Sequence, residues 1–264
     1  MKLDANLVRN LKLILQELVA VRRQYPKRFL EQKACQARRL RSESWLAALD
    51  RVIGRSVQRK RAAADLLAKL TDLPEVADRF AAWLKDADLA WRAEMIEFIG
   101  EEGLHQFAPL LNEYLAGDDR HCLAYAITSA GQLRSEDNLA AILKLADDPT
   151  RLWNRLLGAL KDYAHPRCRP ALERVFRDSL VKRDRVIAAW GLGKLGDEKV
   201  IHYLAELLDD PDTQTPTAFD PGESLRAAQA LCDIHGWPFE WDRSWVAKTK
   251  RRWQQLVRGK TSGG

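Results

Sequence analysis

The chain has 264 residues, which at ~150 residues per domain allows one or two globular domains. Hydrophobic residues make up 46% and charged residues 30%, which supplies the apolar mass for a core and excludes a disordered chain. With 14 Gly, 10 Pro and no run of 18 apolar residues, collagen-like and transmembrane readings are excluded too. A formal charge of +6 comes from 43 Lys and Arg against 37 Asp and Glu.

The start, Met1 to Asn6, meets charge again at Arg9 and Lys12, so no signal-peptide apolar segment is expected there. Cys35, Cys122, Cys168 and Cys232 stand singly, which fits reduced thiols and a cytoplasmic location better than a disulfide framework. Residues 5–24 read as one long helix on a stripe of Leu7, Leu11, Ile14, Leu15 and Leu18, stopped at Pro26. A second helical stretch is expected to about Gly54, with Phe29, Leu30, Leu40, Trp45 and Leu49 in the core.

From there a repeat sets in. Gly131, Leu133, Leu139, Ile142 and Leu145 match Gly193, Leu195, Ile201, Leu204 and Leu207 in type, each 62 residues later. Half that spacing, taken backwards, lands on Gly100, Leu111 and Tyr114. An intermediate copy near Tyr163-Ala164-His165-Pro166 keeps the pattern with a shift of one or two residues. Each unit reads as helix, short turn, helix, acidic break. The breaks are Asp86-Ala87-Asp88, Gly117-Asp118-Asp119, Asp147-Asp148-Pro149, Asp178-Ser179 and Asp209-Asp210-Pro211. An Asp there caps the next helix by accepting its free N–H groups, and Pro149 and Pro211 stop the helix before. Three prolines make 209–222 a loop; a helix over 223–234 restores the repeat, and a basic helix closes the chain before a frayed Ser262-Gly263-Gly264.

The segment from Arg185 to Asp197 resembles the HEAT-like repeats first noted in phycobilisome lyases, and the likeness extends from about Val57 to Asp212. What the resemblance implies is an all-α chain: a right-handed α-solenoid of stacked helical hairpins, with one helix row lining a concave face. The expected organisation is one continuous domain. It comprises basic N-terminal capping helices over 1–56, repeats over 57–212, an inserted loop over 213–222, and a C-terminal repeat with a basic, Trp-rich cap over 223–264.

Charge is segregated along the chain. Residues 1–62 carry a net +11 and 241–264 a net +6, leaving −11 on 63–240. An acidic concave surface repels phosphates and attracts a basic protein, whereas the basic ends are where nucleic acid would bind. The basic N-terminal run lacks the aromatic interleaving of a single-strand binder.

Motifs for chemistry are weak. Gly191-Leu192-Gly193-Lys194-Leu195-Gly196 satisfies GxGxxG, but the same register 62 residues earlier carries no such pattern. The glycines are read instead as close helix packing and a C-terminal turn. The five histidines show no metal-ligand spacing, and adjacent His121 and Cys122 point in different directions on a helix. Glu101, Glu102 and His105 are read as solvated turn residues rather than an acid–base group. The histidine–glutamate pairs that carry iron in HEAT-type hydroxylases are absent. Trp241, Trp245 and Trp253 fall on one helix face, beside Trp237, as a core closing the solenoid's end, while Trp91 and Trp153 belong to the cores of first helices.

These readings point to a non-enzymatic protein-binding module without cofactor or metal, whose concave positions by register are Glu113, Lys144, Arg177, Tyr203 and Glu206. Architecture and charge are similar to the HEAT-type immunity proteins that neutralise secreted bacterial toxins, many of them basic nucleases. The alternative is a nucleic-acid-binding protein similar to the HEAT-like alkylpurine DNA glycosylases, which use a basic groove, tryptophans and one catalytic Asp. No Asp–Trp constellation stands out in the sequence.

Overall fold

The structure is a computed structural model that describes residues 4–20, 27–40, 44–54, 56–86, 89–147, 153–209, 222–240, 242 and 244–261. Among these there is no strand. The helices are α1 (Ala5–Ala20), α2 (Lys27–Arg39), α3 (Trp45–Ile53), α4 (Val57–Ala68), α5 (Pro74–Asp86), α6 (Leu89–Glu101), α7 (Ala108–Leu115) and α8 (Arg120–Leu133). They continue with α9 (Glu136–Ala146), α10 (Trp153–Tyr163), α11 (Arg169–Asp178), α12 (Lys182–Lys194), α13 (Glu198–Glu206), α14 (Glu223–His235) and α15 (Ser244–Thr261). The fold is all-α, built of stacked helical hairpins. No described helix is long and apolar enough to cross a membrane.

Two compact units divide the chain, Met1–Ser129 and Ala130–Gly264, the division falling inside α8. In the first, α1 forms on the expected stripe, with Leu7, Leu11, Ile14, Leu15 and Leu18 all buried; residues 21–24 lie outside the described residues. The single stretch expected up to Gly54 is two helices, α2 and α3. A continuous helix would carry the buried stripe of Leu30, Ala34 and Ala37 on through Arg41 before reaching Trp45, placing a charge in the apolar seam. Of the proposed core residues Leu30, Trp45 and Leu49 are buried, whereas Phe29 and Leu40 are only half-buried.

The hairpins share a turn geometry that the sequence marks only in part. A residue with positive φ follows the first helix of five successive hairpins: Gly103 (66°), Arg134 (53°), Ala164 (46°), Gly196 (85°) and Gly236 (66°). Three of these are glycine, the residue for which the left-handed turn is free of a Cβ penalty. The next position is a capping slot. Ser135 Oγ accepts from the Asp137 N–H (3.3 Å), His165 Nδ1 from the Arg167 N–H (3.2 Å) and Asp197 Oδ1 from the Lys199 N–H (3.1 Å). The shifted copy is visible here: Ala164 lies 30 residues after Arg134 and 32 before Gly196.

At the acidic breaks the expected cap forms at Asp119, whose Oδ1 accepts from the Cys122 N–H at 2.7 Å. That hydrogen bond, outweighing a small desolvation, holds the exposed Asp119 carboxyl below the usual carboxylate range. At two other breaks a carboxylate takes a different partner, Asp178 pairing with Arg177 and Asp209 with Lys250, and Asp88, Asp148, Pro149 and Asp210 lie outside the described residues. The loop over 210–221 lies outside the described residues.

First helices of the second unit approach closely through glycine. A Cβ on Gly131 would stand 2.8 Å from the Ala159 Cα, one on Gly191 2.8 Å from the Leu172 Cδ1 and 3.2 Å from the Lys161 Cα, and one on Gly193 2.5 Å from the Ile234 Cδ1. The GxGxxG glycines are therefore packing residues, with Gly191 and Gly193 inside helix α12 and Gly196 at its left-handed turn. Side chains bridge neighbouring hairpins at intervals close to the repeat length. Ser129 Oγ donates to the Ile96 carbonyl (2.7 Å), the Tyr163 hydroxyl to that of Ser135 (3.0 Å), and the Arg174 guanidinium to that of Ala146 (2.8 Å).

Candidate functional site

In the second unit the first and second helices differ in how they spend their surface. Helix α12 buries Asp184, Val186, Ala188, Ala189, Gly191, Leu192 and Gly193, which lie on several of its sides. Helix α11 buries only Leu172 and Val175, and α13 only Val200, Ile201 and Leu204, one stripe each. The outward faces of the second helices are thus left over after the core is complete.

All five register-predicted positions lie on second helices. Glu113 sits on α7 in the first unit; Lys144, Arg177, Tyr203 and Glu206 sit on α9, α11 and α13 in the second. Glu113, Lys144, Arg177 and Glu206 are exposed, and Tyr203 is half-buried. The structure links α11 to α13 at this face through the Phe176 ring, edge-on to Tyr203 with centroids 5.0 Å apart. The Tyr203 hydroxyl is buried without a hydrogen-bond partner among the described residues. Arg177 is engaged bidentately by Asp178, at 2.7 and 3.0 Å, so its charge is neutralised locally.

Two features escaped the sequence reading. Leu180 is 96% exposed and Val181 51%, at the turn between α11 and α12. The signal was present, since an apolar pair stands at that break where three of the other four breaks carry Asp-Asp. In the first unit, a cavity of about 230 Å³ is lined by Asp50, Ile53, Gly54, Lys60, Trp83 and Trp91. It gathers an aspartate and two tryptophans that lie 33 and 41 positions apart in the chain, a constellation the sequence did not disclose. The indole centroids are 5.9 Å apart at 49°. Asp50 pairs with Arg79 at 3.0 Å, and burial, against the pull of Arg79, raises its carboxyl above the ordinary range.

The remaining candidates resolve into structure. Cys122, Cys168 and Cys232 are buried, and desolvation pushes all three thiols up, Cys122 to about 11, so none is an activated nucleophile. His121 lies exposed against Tyr125 while Cys122 turns inward. Among the described residues no three His, Cys, Asp or Glu side chains gather as a metal site requires. Glu102 pairs with Lys69. Trp91 and Trp245 are buried. Trp253 is half-buried beside His202 and His235, whose ring stacks on Trp237 at 4.7 Å. Trp241 and the Trp153 side chain lie outside the described residues.

Residues 184–210, which comprise nearly all of α12, all of α13 and the short turn after it, match the family model of the PBS lyase HEAT-like repeat. That segment is a HEAT-like repeat. A search of the curated proteins found no match. Among solved structures, human deoxyhypusine hydroxylase in complex with glycerol is similar over 96% of this chain and 98% of that chain, at 14% identity and a TM-score of 0.31. A score that low adds nothing to the fold described above.

Proposed function

We propose that the chain is a protein-binding repeat module whose contact surface is the outward face of the second helices. The observation that carries this reading is the division within the HEAT-like hairpins, where α12 supplies the core and α11 and α13 hold polar side chains that the core does not use. Stacked repeats separate packing positions from surface positions, which is what makes such a surface adaptable to a partner. Tyr203, half-buried with its ring edge-on to Phe176, is the anchor, because a rigid aromatic contributes contact area at little entropic cost.

The partner is a basic protein. Residues 63–240 carry a net −11, Arg177 is already neutralised by Asp178, and Glu113 and Glu206 offer unburied carboxylates. In its most specific form the proposal is an immunity protein that occludes a basic toxin, the acidic surface competing with nucleic acid for the toxin's site. The test is cross-linked capture from the native host with wild-type protein and with Glu206→Lys as baits. A basic protein held by the wild type and lost by the variant supports the reading. Equal capture by both baits would put the contact elsewhere, and tight binding of duplex DNA that weakens steeply with salt would make nucleic acid the partner instead.

A further inference from the structure

We infer that the cavity between Asp50, Lys60, Trp83 and Trp91 in the first unit is a nucleotide-binding site. The base lies against the Trp83 indole, its exocyclic N–H groups face the Asp50 carboxylate, and its phosphate faces Lys60. The inference concerns the first unit and does not depend on the protein-binding reading of the second.

Size sets the first limit. At about 230 Å³ the cavity falls below the ~300–1,000 Å³ that accommodate a whole drug-sized ligand, so it takes one planar group with the remainder of the ligand outside. The Trp83 indole, tilted against the buried Trp91, offers an apolar face for such a group, and every nucleobase presents a π-face to it. Asp50, held by Arg79 at 3.0 Å, is an acceptor of fixed orientation for amino and imino donors.

Charge separates a nucleotide from the other planar ligands. Arg59 donates to the Val52 carbonyl at 3.0 Å and Arg61 pairs with Glu94, so both guanidinium groups are engaged. Lys60, between them, has no ion pair among the described residues; its Nζ stands 5.4 Å from the centroid of the Trp91 ring. It also lies in the first turn of α4, which holds no acidic residue and where the helix dipole adds positive potential. The site therefore favours an anion beside the stacked ring. A quaternary ammonium, the other common guest of paired indoles, would meet the ammonium of Lys60 and the guanidinium of Arg79. The strong positive charge of residues 1–62 adds long-range attraction for phosphate.

The ligand is either a free mononucleotide or an unpaired nucleotide within a strand, and binding measurements on the full chain tell them apart. A fluorescein-labelled single-stranded oligonucleotide is titrated by anisotropy, and AMP is titrated by calorimetry. Binding of AMP assigns the free nucleotide; binding of the oligonucleotide without AMP assigns the strand. In either case Trp83→Ala weakens binding by about 5- to 100-fold, as expected for loss of one stacked base. Lys60→Glu, a charge reversal at a half-buried lining residue that keeps both indoles in the chain, weakens it too and flattens its salt dependence. No binding of either probe, or binding by both variants equal to wild type, overturns the proposal.

Discussion

The two helices of one hairpin solve opposite problems. Helix α12 is enclosed by its neighbours, and its sequence is accordingly small and apolar where the next helix comes near: Gly191 against Leu172 and Lys161, Gly193 against Ile234. Helix α13, which follows it in the same hairpin, needs only Val200, Ile201 and Leu204 to fasten it, and the rest of it is Glu, Lys, His, Tyr and Ala. The two rows therefore respond to different substitutions: volume on the first helices matters to the fold in both directions, while charge on the second helices is free to vary without disturbing the core and, on the proposed reading, is what a partner meets.

The largest effect falls on the enclosed row. Leu192→Ala, at a side chain 1% exposed, should cost about 2–5 kcal/mol, whereas Glu206→Lys should stay within about 0.5 kcal/mol, both read by chemical denaturation. Next comes overpacking. Gly131→Ala forces a methyl to within 2.8 Å of the Ala159 backbone, and a loss of about 1–3 kcal/mol is expected; a loss near zero would mean the first helices are free to part.

A smaller effect has opposite signs at equivalent positions. Ala164 holds a left-handed conformation (φ 46°) in the turn where Gly196 stands (φ 85°). Ala164→Gly should therefore stabilise by up to about 1 kcal/mol and Gly196→Ala destabilise by a similar amount, against the ordinary rule that glycine weakens a fold. Thermal melts of the two variants check the pair. The smallest effect is a pH dependence. The Asp119 carboxyl is lowered by the Cys122 N–H, so its cap contributes above the ordinary value of 3.8 and is lost as pH falls through its lower folded value. The stability gap between wild type and Asp119→Ala should hold at neutral pH and close in that acid range.

How much of this could be read from the chain depends on how local the cause is. Helical periodicity and the 62-residue echo of Gly131 in Gly193 announced the hairpins, because the stripe and the close approach both act through residue type at fixed spacing. The left-handed turn was half-visible: Gly103, Gly196 and Gly236 advertise it, while Arg134 and Ala164 adopt it under the pull of the flanking helices. The break between α2 and α3 escaped because neither Gly nor Pro marks it; only the polarity of Arg41 on an apolar stripe does. Asp50 met Trp83 and Trp91 only once three helices were stacked, and no local pattern encodes that meeting. Leu180, by contrast, was legible as an apolar residue at a break and needed only its 96% exposure to stand out.

The separation of duties between helix rows is tested most directly by the double variant Glu113→Lys, Glu206→Lys, at two exposed carboxylates of second helices, measured for melting temperature and for host-protein capture on the same preparation. A melting temperature within a few degrees of wild type together with loss of the captured protein is the expected result. A large drop in melting temperature, or undiminished capture by a fully folded variant, would contradict it.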